Sequence, residues 1–154
     1  MTSIAVTPDI LAKTIVTLRE AGARGQECVV LWLAPAAVAR PPAPIVEVYR
    51  PLQVADVDYF RLPPQSMRAM MAHMREARLK IAAQVHSHPA EAFHSEVDDE
   101  WAIIRHVGAM SLVLPRFAFD TTVANFAAEA ASYELSPGNE WLPVATLDRL
   151  EISA

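Results

Sequence analysis

The chain has one cysteine, Cys28, so it cannot close an internal disulfide. Cys28 lies in the apolar run ECVVLWLA, and its expected role is core packing, because apolar burial raises a thiol's pKa and leaves it inert. No apolar run approaches the length that crosses a bilayer, and the opening MTSIAVTPDI lacks the basic start and apolar core of a signal peptide. The expected compartment is therefore the cytoplasm, with no membrane partner. Basic residues are scattered as Arg61, Arg68, Arg75, Arg78 and Lys80, and the formal net charge is −5. No basic patch forms for a phosphate backbone, so nucleic acid is not an expected partner. Internal repeats and low-complexity segments are absent, and the proline-rich connector ARPPAP, residues 39–44, is too short to separate two domains.

What is present is core material. Hydrophobic residues make up 53% of the 154 and charged residues 20%, a composition that suits one globular domain spanning residues 1–154. Thr7-Pro8-Asp9 reads as an N-cap with proline at the first helical position, and Leu11, Ile15 and Leu18 follow at helical spacing, predicting a helix over about residues 8–21. Glu27 to Leu33 reads as a buried strand, and IVEVYRP as a second. Residues 51–62 show no period and read as an irregular loop. Pro63-Pro64 starts a helix with Met67, Met70, Met71 and Met74 on one core-facing side. KIAAQV is strand-like and leads straight into His86. A helix is expected from Ser95, with Val97, Trp101 and Ile104 on one face and Gly108 as its stop. MSLVLP reads as a strand, and SYEL, SPGN and WLPV as strand, turn and strand. This order of elements suggests a mixed α/β sheet with helices packed on it.

The chemistry concentrates in QVHSHPAEAFHSEVDDE, Gln84 to Glu100. Residues i and i+2 of an extended chain point the same way, so His86 and His88 can present two imidazoles to one ion, and Pro89 keeps His88 extended. A catalytic zinc commonly takes three protein ligands of His and carboxylate type and leaves a position for water. His94, Glu96, Asp98, Asp99 and Glu100 all compete for the third place. Ser95-Glu96-Val97-Asp98 has the form of a capped helix start, which puts Asp98 in the first turn beside the cap and ranks it ahead of Glu96. Ser-x-x-Asp is also common where there is no chemistry, and His94, His106 and His73 read as surface or boundary histidines. A metal-bound water needs a proton acceptor, and Glu27 is the notable candidate, since a carboxylate opening an apolar strand is costly unless it is paired or at an edge. A solvent-exposed strand start after Gly25 would account for it equally.

Taken together, Glu27, His86-Ser87-His88-Pro89 and Ser95-Glu96-Val97-Asp98 resemble the JAMM or MPN metalloprotease domain, also called the JAB domain, in its prokaryotic branch. The surrounding chain is similar over most of residues 8–120. The resemblance implies an α/β fold with a mixed, largely antiparallel curved sheet flanked by helices, the cytidine-deaminase-like JAB/MPN architecture. It implies that His86, His88 and Asp98 bind Zn2+ with a water, that Glu27 is the general base, and that Ser95 hydrogen-bonds the developing oxyanion. It also implies hydrolysis of the amide bond after the C-terminal glycine of a ubiquitin-like protein or its conjugates. Residues 51–62 would then clamp the extended tail. The implied setting is a bacterial conjugation or antiphage defence pathway, beside homologues of ubiquitin-activating and ubiquitin-conjugating enzymes. Processing of a sulfur-carrier protein in cysteine or cofactor biosynthesis is the alternative, and a non-catalytic MPN-type binding module is the alternative of another class. The chain departs from many eukaryotic members in a shorter spacer between Pro89 and Ser95.

Overall fold

The computed structural model describes residues 3–55, 57, 60–93 and 102–153. Strand β1 (Ile4–Val6) leads into helix α1 (Pro8–Gly22), and β2 (Val29–Pro35), β3 (Ala43–Pro44), β4 (Glu47–Tyr49), β5 (Val54–Ala55) and β6 (Phe60–Arg61) follow. Next come α2 (Pro64–Ala77), β7 (Leu79–Ser87), β8 (Met110–Leu114) and a tight helical turn at Arg116–Ala118. The chain closes with α3 (Phe126–Glu129), β9 (Ala131–Leu135), β10 (Trp141–Val144), α4 (Thr146–Arg149) and β11 (Leu150–Ile152).

Thr7 caps α1 as the sequence predicts, its side chain accepting the Ile10 N–H at 3.3 Å. The buried stripe Leu11, Ile15 and Leu18 then faces the sheet. Burying side chains of this size contributes about 1.5–3 kcal/mol each, which is what fixes an amphipathic helix of this length.

The main sheet has six strands in the order β10-β9-β8-β7-β2-β4. Every neighbouring pair is antiparallel except β7–β8, which is parallel. A mixed, largely antiparallel sheet flanked by helices is thus what the resemblance implies. One face carries Val30, Trp32, Ala83, Val85, Leu112 and Leu114 against α1. Trp32 sits at its centre, stacked on Phe126 at 5.9 Å and donating from Nε1 to Thr14 Oγ1 at 2.9 Å. The other face carries Leu31, Leu33 and Ile81 against Met70 and Met74 of α2.

Two departures from the sequence reading concern packing. Met71 is 54% exposed, so the buried side of α2 is narrower than the four-methionine stripe suggests. Residues 102–107 are not helical; Ile104 is buried in a loop, and Gly108 (φ +86°) closes a turn rather than a helix. A third is an addition: β1 pairs in parallel with both β11 and β3, forming a separate three-stranded sheet. Among the described residues no helix is long and apolar enough to cross a membrane.

The backbone is irregular at two places near the histidines. Between Trp32/Ala83 and Leu33/Ile81 the β2–β7 register shifts, so that Ala82 is an extra residue on β7. The turn after β8 holds Arg116, Phe117 and Ala118 at φ +51°, +52° and +62°, a left-handed turn built without glycine. A non-glycine residue in that region costs of order 1–3 kcal/mol, so the surroundings must hold the turn in place.

Candidate active site

Strict alternation along β7 would put Leu79, Ile81, Ala83, Val85 and Ser87 on one face. The bulge at Ala82 reverses the phase midway. Leu79 and Ile81 pack toward α2, but beyond the bulge it is Ala83 and Val85 that enter the α1 core. Gln84, His86 and, one step further, His88 are therefore carried to the α2 side. Bulges commonly re-aim side chains in this way beside functional sites.

Val29 is the antiparallel partner of His86. Directly opposed residues of an antiparallel pair share a face, and continuing the register by two pairs, through Cys28 and Ser87, sets Glu27 opposite His88. Glu27, His86 and His88 therefore gather on one side of the sheet, at the end of two adjacent strands. All three are buried: Glu27 is 1% exposed, His86 0% and His88 5%. The two imidazoles lie 5.3 Å apart between centroids, tilted by 48°, and the half-exposed Phe93 meets His88 edge-on at 4.6 Å. Glu27 is thus no solvent-exposed strand start.

Ser87 locks the two strands together. Its side chain points to the opposite face from the histidines, where its Oγ accepts the Cys28 N–H at 3.1 Å, while its own N–H donates to the Cys28 carbonyl at 3.1 Å. Position 27 is therefore fixed relative to positions 86 and 88 by the residue between the histidines. On the outer edge of β2, Gln53 takes the place of a strand partner for Val29: Oε1 accepts its N–H at 2.7 Å and Nε2 donates to its carbonyl at 3.0 Å. The same Nε2 also donates to the Pro51 carbonyl at 2.8 Å. Cys28 contributes no nucleophile. Burial pushes its thiol up to about 11, against the opposing pull of Arg50 and Arg24.

Parallel neighbours require a long crossover, and residues 88–109 supply it between β7 and β8. Both ends of this crossover are anchored at the site. At its start, the His88 N–H donates to the Leu114 carbonyl at 2.9 Å. Near its end, the buried Gln84 accepts the Ile103 N–H at 3.0 Å through Oε1 and donates to Ser111 Oγ at 3.1 Å through Nε2. Ser95, Asp98 and their neighbours His94, Glu96, Asp99 and Glu100 lie within this crossover but outside the described residues. Among the described residues no group of three His, Cys, Asp or Glu side chains could hold a metal ion. His73 behaves as a boundary residue, with Nε2 at 2.9 Å from the Glu47 carboxylate and its ring stacked on Tyr49 at 5.1 Å. His106 is exposed.

Sequence reasoning missed Ser87, Gln84 and Gln53. The signal for Ser87 was available in principle, since the middle residue of His-x-His must face away from the ligands and toward the core. Gln53 gave none, because its role depends on a strand edge that only the folded sheet defines.

Solved structures share this arrangement of strands and helices. A solution structure of a protein from Desulfitobacterium hafniense superposes with a TM-score of 0.65 at 16% identity, covering 97% of this chain and 92% of that one. A solution structure from Salinibacter ruber gives a TM-score of 0.59 at 19% identity, over 92% and 88% of the two chains. The crystal structure of a JAB1/MPN domain protein from Archaeoglobus fulgidus gives 0.53 at 14% identity, covering 99% of this chain and 100% of that one. The fold is that of a JAB1/MPN domain. No family model matches the chain. A Sinorhizobium fredii protein named as a probable metalloprotease is 28% identical over 158 residues, 96% of this chain and 92% of that relative. The resemblance to the JAMM/MPN family is borne out by both findings. Within this fold, Glu27, His86 and His88 occupy one end of the central strands, and the crossover carries the remaining motif residues.

Proposed function

We propose that the chain is a JAMM-type zinc metallopeptidase that cleaves the amide bond following the C-terminal glycine of a ubiquitin-like protein. The observation that carries this reading is the convergence of a buried carboxylate and two buried imidazoles on one face, achieved by a bulge that turns the histidines out of the hydrophobic core. The name of the Sinorhizobium relative supports metal-dependent peptide hydrolysis.

The donor set fits a divalent cation of borderline softness. Two imidazoles set two residues apart on an extended strand suit such an ion, and burial excludes competing water. His86, His88 and Asp98 would hold it, and Zn2+ there supplies a lowered water pKa and polarisation of the scissile carbonyl. Glu27 then accepts the proton of the attacking water and delivers it to the leaving amine, a role that suits a carboxylate shielded from solvent on a strand that Ser87 ties down at Cys28. Ser95 donates a hydrogen bond to the oxyanion as its charge develops.

The substrate tail reaches the site along the β5–β6 hairpin. Val54 pairs with Arg61 and Ala55 with Phe60, so the segment expected to be irregular forms a short antiparallel ladder. Between this hairpin and the start of α2 lies a groove of about 520 Å3 lined by Tyr49, Leu52, Gln53, Val54 and Pro63. An extended peptide adds to such an edge through main-chain hydrogen bonds, and Leu52, 84% exposed, offers an apolar contact.

Incubation with ubiquitin-like proteins bearing a C-terminal extension, read by intact mass, tests this reading. Sulfur-carrier proteins with such extensions belong in the same panel. Wild-type protein is expected to release the extension after the glycine, while Glu27→Gln retains zinc and loses cleavage. Cleavage by Glu27→Gln at the wild-type rate would remove the assigned mechanism, and purified protein without bound metal would favour the non-catalytic binding module.

A further inference from the structure

The left-handed turn Arg116–Ala118 faces the metal-site loop with its N-terminal end. The first N–H groups of any helical turn have no partner inside it. Here they go to the histidine loop: the Phe117 N–H donates to the His88 carbonyl at 2.8 Å and the Arg116 N–H to the Ala90 carbonyl at 2.9 Å. With the His88 N–H donating to the Leu114 carbonyl, the backbone of His88 is held from both sides.

The other end of the turn is held by α1. Arg19 donates from Nε to the Ala118 carbonyl at 2.8 Å, and from its second guanidinium nitrogen to the Thr121 carbonyl. One turn of helix further on, Gly22 lies directly beneath Phe117. A Cβ built on Gly22 would sit 2.4 Å from Phe117 Cβ and 2.9 Å from its Cγ, so only glycine lets helix and turn approach this closely. Three consecutive residues in a conformation that L side chains rarely adopt are thereby clamped between α1 and the histidine loop.

We propose that Arg19 is a positioning residue for His88, acting through the left-handed turn, and that Gly22 sets the distance at which it acts. Helix α1 then transmits its packing against the sheet to one metal ligand. This rests on the reading of His88 as a ligand. A guanidinium is suited to the task because its planar fork reaches two carbonyls at once and stays charged at every working pH. Lysine can satisfy one carbonyl, and alanine neither.

The test uses the full chain with Co2+ and Zn2+ as probes, titrated against a competing chelator, together with amide hydrogen exchange of the metal-free protein. Arg19→Ala is expected to weaken metal affinity by about tenfold or more, the range for groups that orient ligands. It should also speed exchange at Arg116 and Phe117 severalfold, while the amides of β2 and β8 keep their wild-type protection. Arg19→Lys should recover part of both effects. Gly22→Ala should weaken metal binding as well, and adding Phe117→Gly should restore it, because glycine removes the colliding Cβ and adopts the same backbone without strain. Arg19→Ala with wild-type affinity and wild-type exchange at Arg116 and Phe117 would overturn the inference. So would equal acceleration across β2 and β8, which would make Arg19 a general stabiliser. If wild-type protein takes up neither ion, the ligand reading fails, and the exchange rates alone still decide whether Arg19 holds the turn.

Discussion

Replacing Ser87 by alanine separates the structural role of the motif's middle residue from the chemistry of its neighbours. Ser87 is fully buried, and its Oγ is the acceptor for the Cys28 N–H, itself in the core. Alanine fits the space and keeps the backbone bond from Ser87 N–H to the Cys28 carbonyl, so the loss is confined to one acceptor. A buried donor left without its partner costs about 1–3 kcal/mol. For a chain of this size each kcal/mol lowers Tm by about 2–4 °C, so a drop of about 2–12 °C is expected. Glu27 adjoins Cys28, so slackening of that strand also moves the carboxylate against the histidines, and a displacement of about 1 Å is enough to cost about 100-fold in rate. Urea and thermal denaturation of Ser87→Ala, with Thr17→Ala as the control, give the measurement; the Thr17 hydroxyl is exposed and bonds only within its own helix, to the Lys13 carbonyl. A Ser87→Ala protein as stable as the Thr17→Ala control would show that Ser87 does not hold the Glu27 strand.

Other outcomes depend on the same packing. The unfolded Cys28 thiol loses its proton from about 9, whereas the folded one keeps it to about 11, so between these values the unfolded state binds fewer protons and stability falls as pH rises. Unfolding free energies of wild type and Cys28→Ala, measured by urea denaturation, should converge by about 2 kcal/mol between pH of about 8 and about 10.5, and parallel curves would refute this. Gln53→Ala strips the Val29 N–H and carbonyl of their edge partner, with an expected loss of about 1–2 kcal/mol and a raised KM for the peptide tail, read by denaturation and initial rates. Removal of metal by chelation should stop cleavage and lower Tm by about 5–10 °C relative to protein saturated at about 100 times its Kd, since a ligand bound only by the native state stabilises it by mass action. Deleting Ala82 restores an even ladder and sends His86 and His88 toward the apolar α1 face, so bound metal and a cooperative melt should both be lost; Ala82→Ser, which keeps the count, should retain them.

The elements that were legible in the sequence are those whose signal is local. The Thr7 cap and the Leu11, Ile15, Leu18 stripe announce α1, and the apolar run after Cys28 announces β2. The parallel pairing of β1 with β11 and β3 was not legible, because strands of two or three residues carry no period and one partner lies at the far end of the chain. The helical pattern expected to extend to Gly108 is not followed over residues 102–107, for a related reason. Ile104 is buried as its spacing suggests, but Ile103 spends its N–H on the Gln84 side chain rather than on a helical carbonyl. That His86 and His88 share a side was readable from their spacing, and which side of the sheet they take was not, because Ala82 looks like any alanine in KIAAQV. The left-handed turn was equally silent: no glycine or asparagine marks it, and its stability comes from α1, which is distant in sequence.

The extra residue in β7 also bears on how such a sequence can change over time. Most positions of a strand accept conservative replacement, because the side chain alone is altered. The bulge makes the number of residues between Leu79 and His86 decide which side of the sheet the histidines take, independently of what those residues are. Conservative substitution within KIAAQ keeps that count and leaves the histidines where they are, with Gln84 tied down by its bonds to Ile103 and Ser111. A single codon gained or lost in the same stretch turns both imidazoles over at one stroke, so insertions and deletions should be purged from this strand far more severely than point changes.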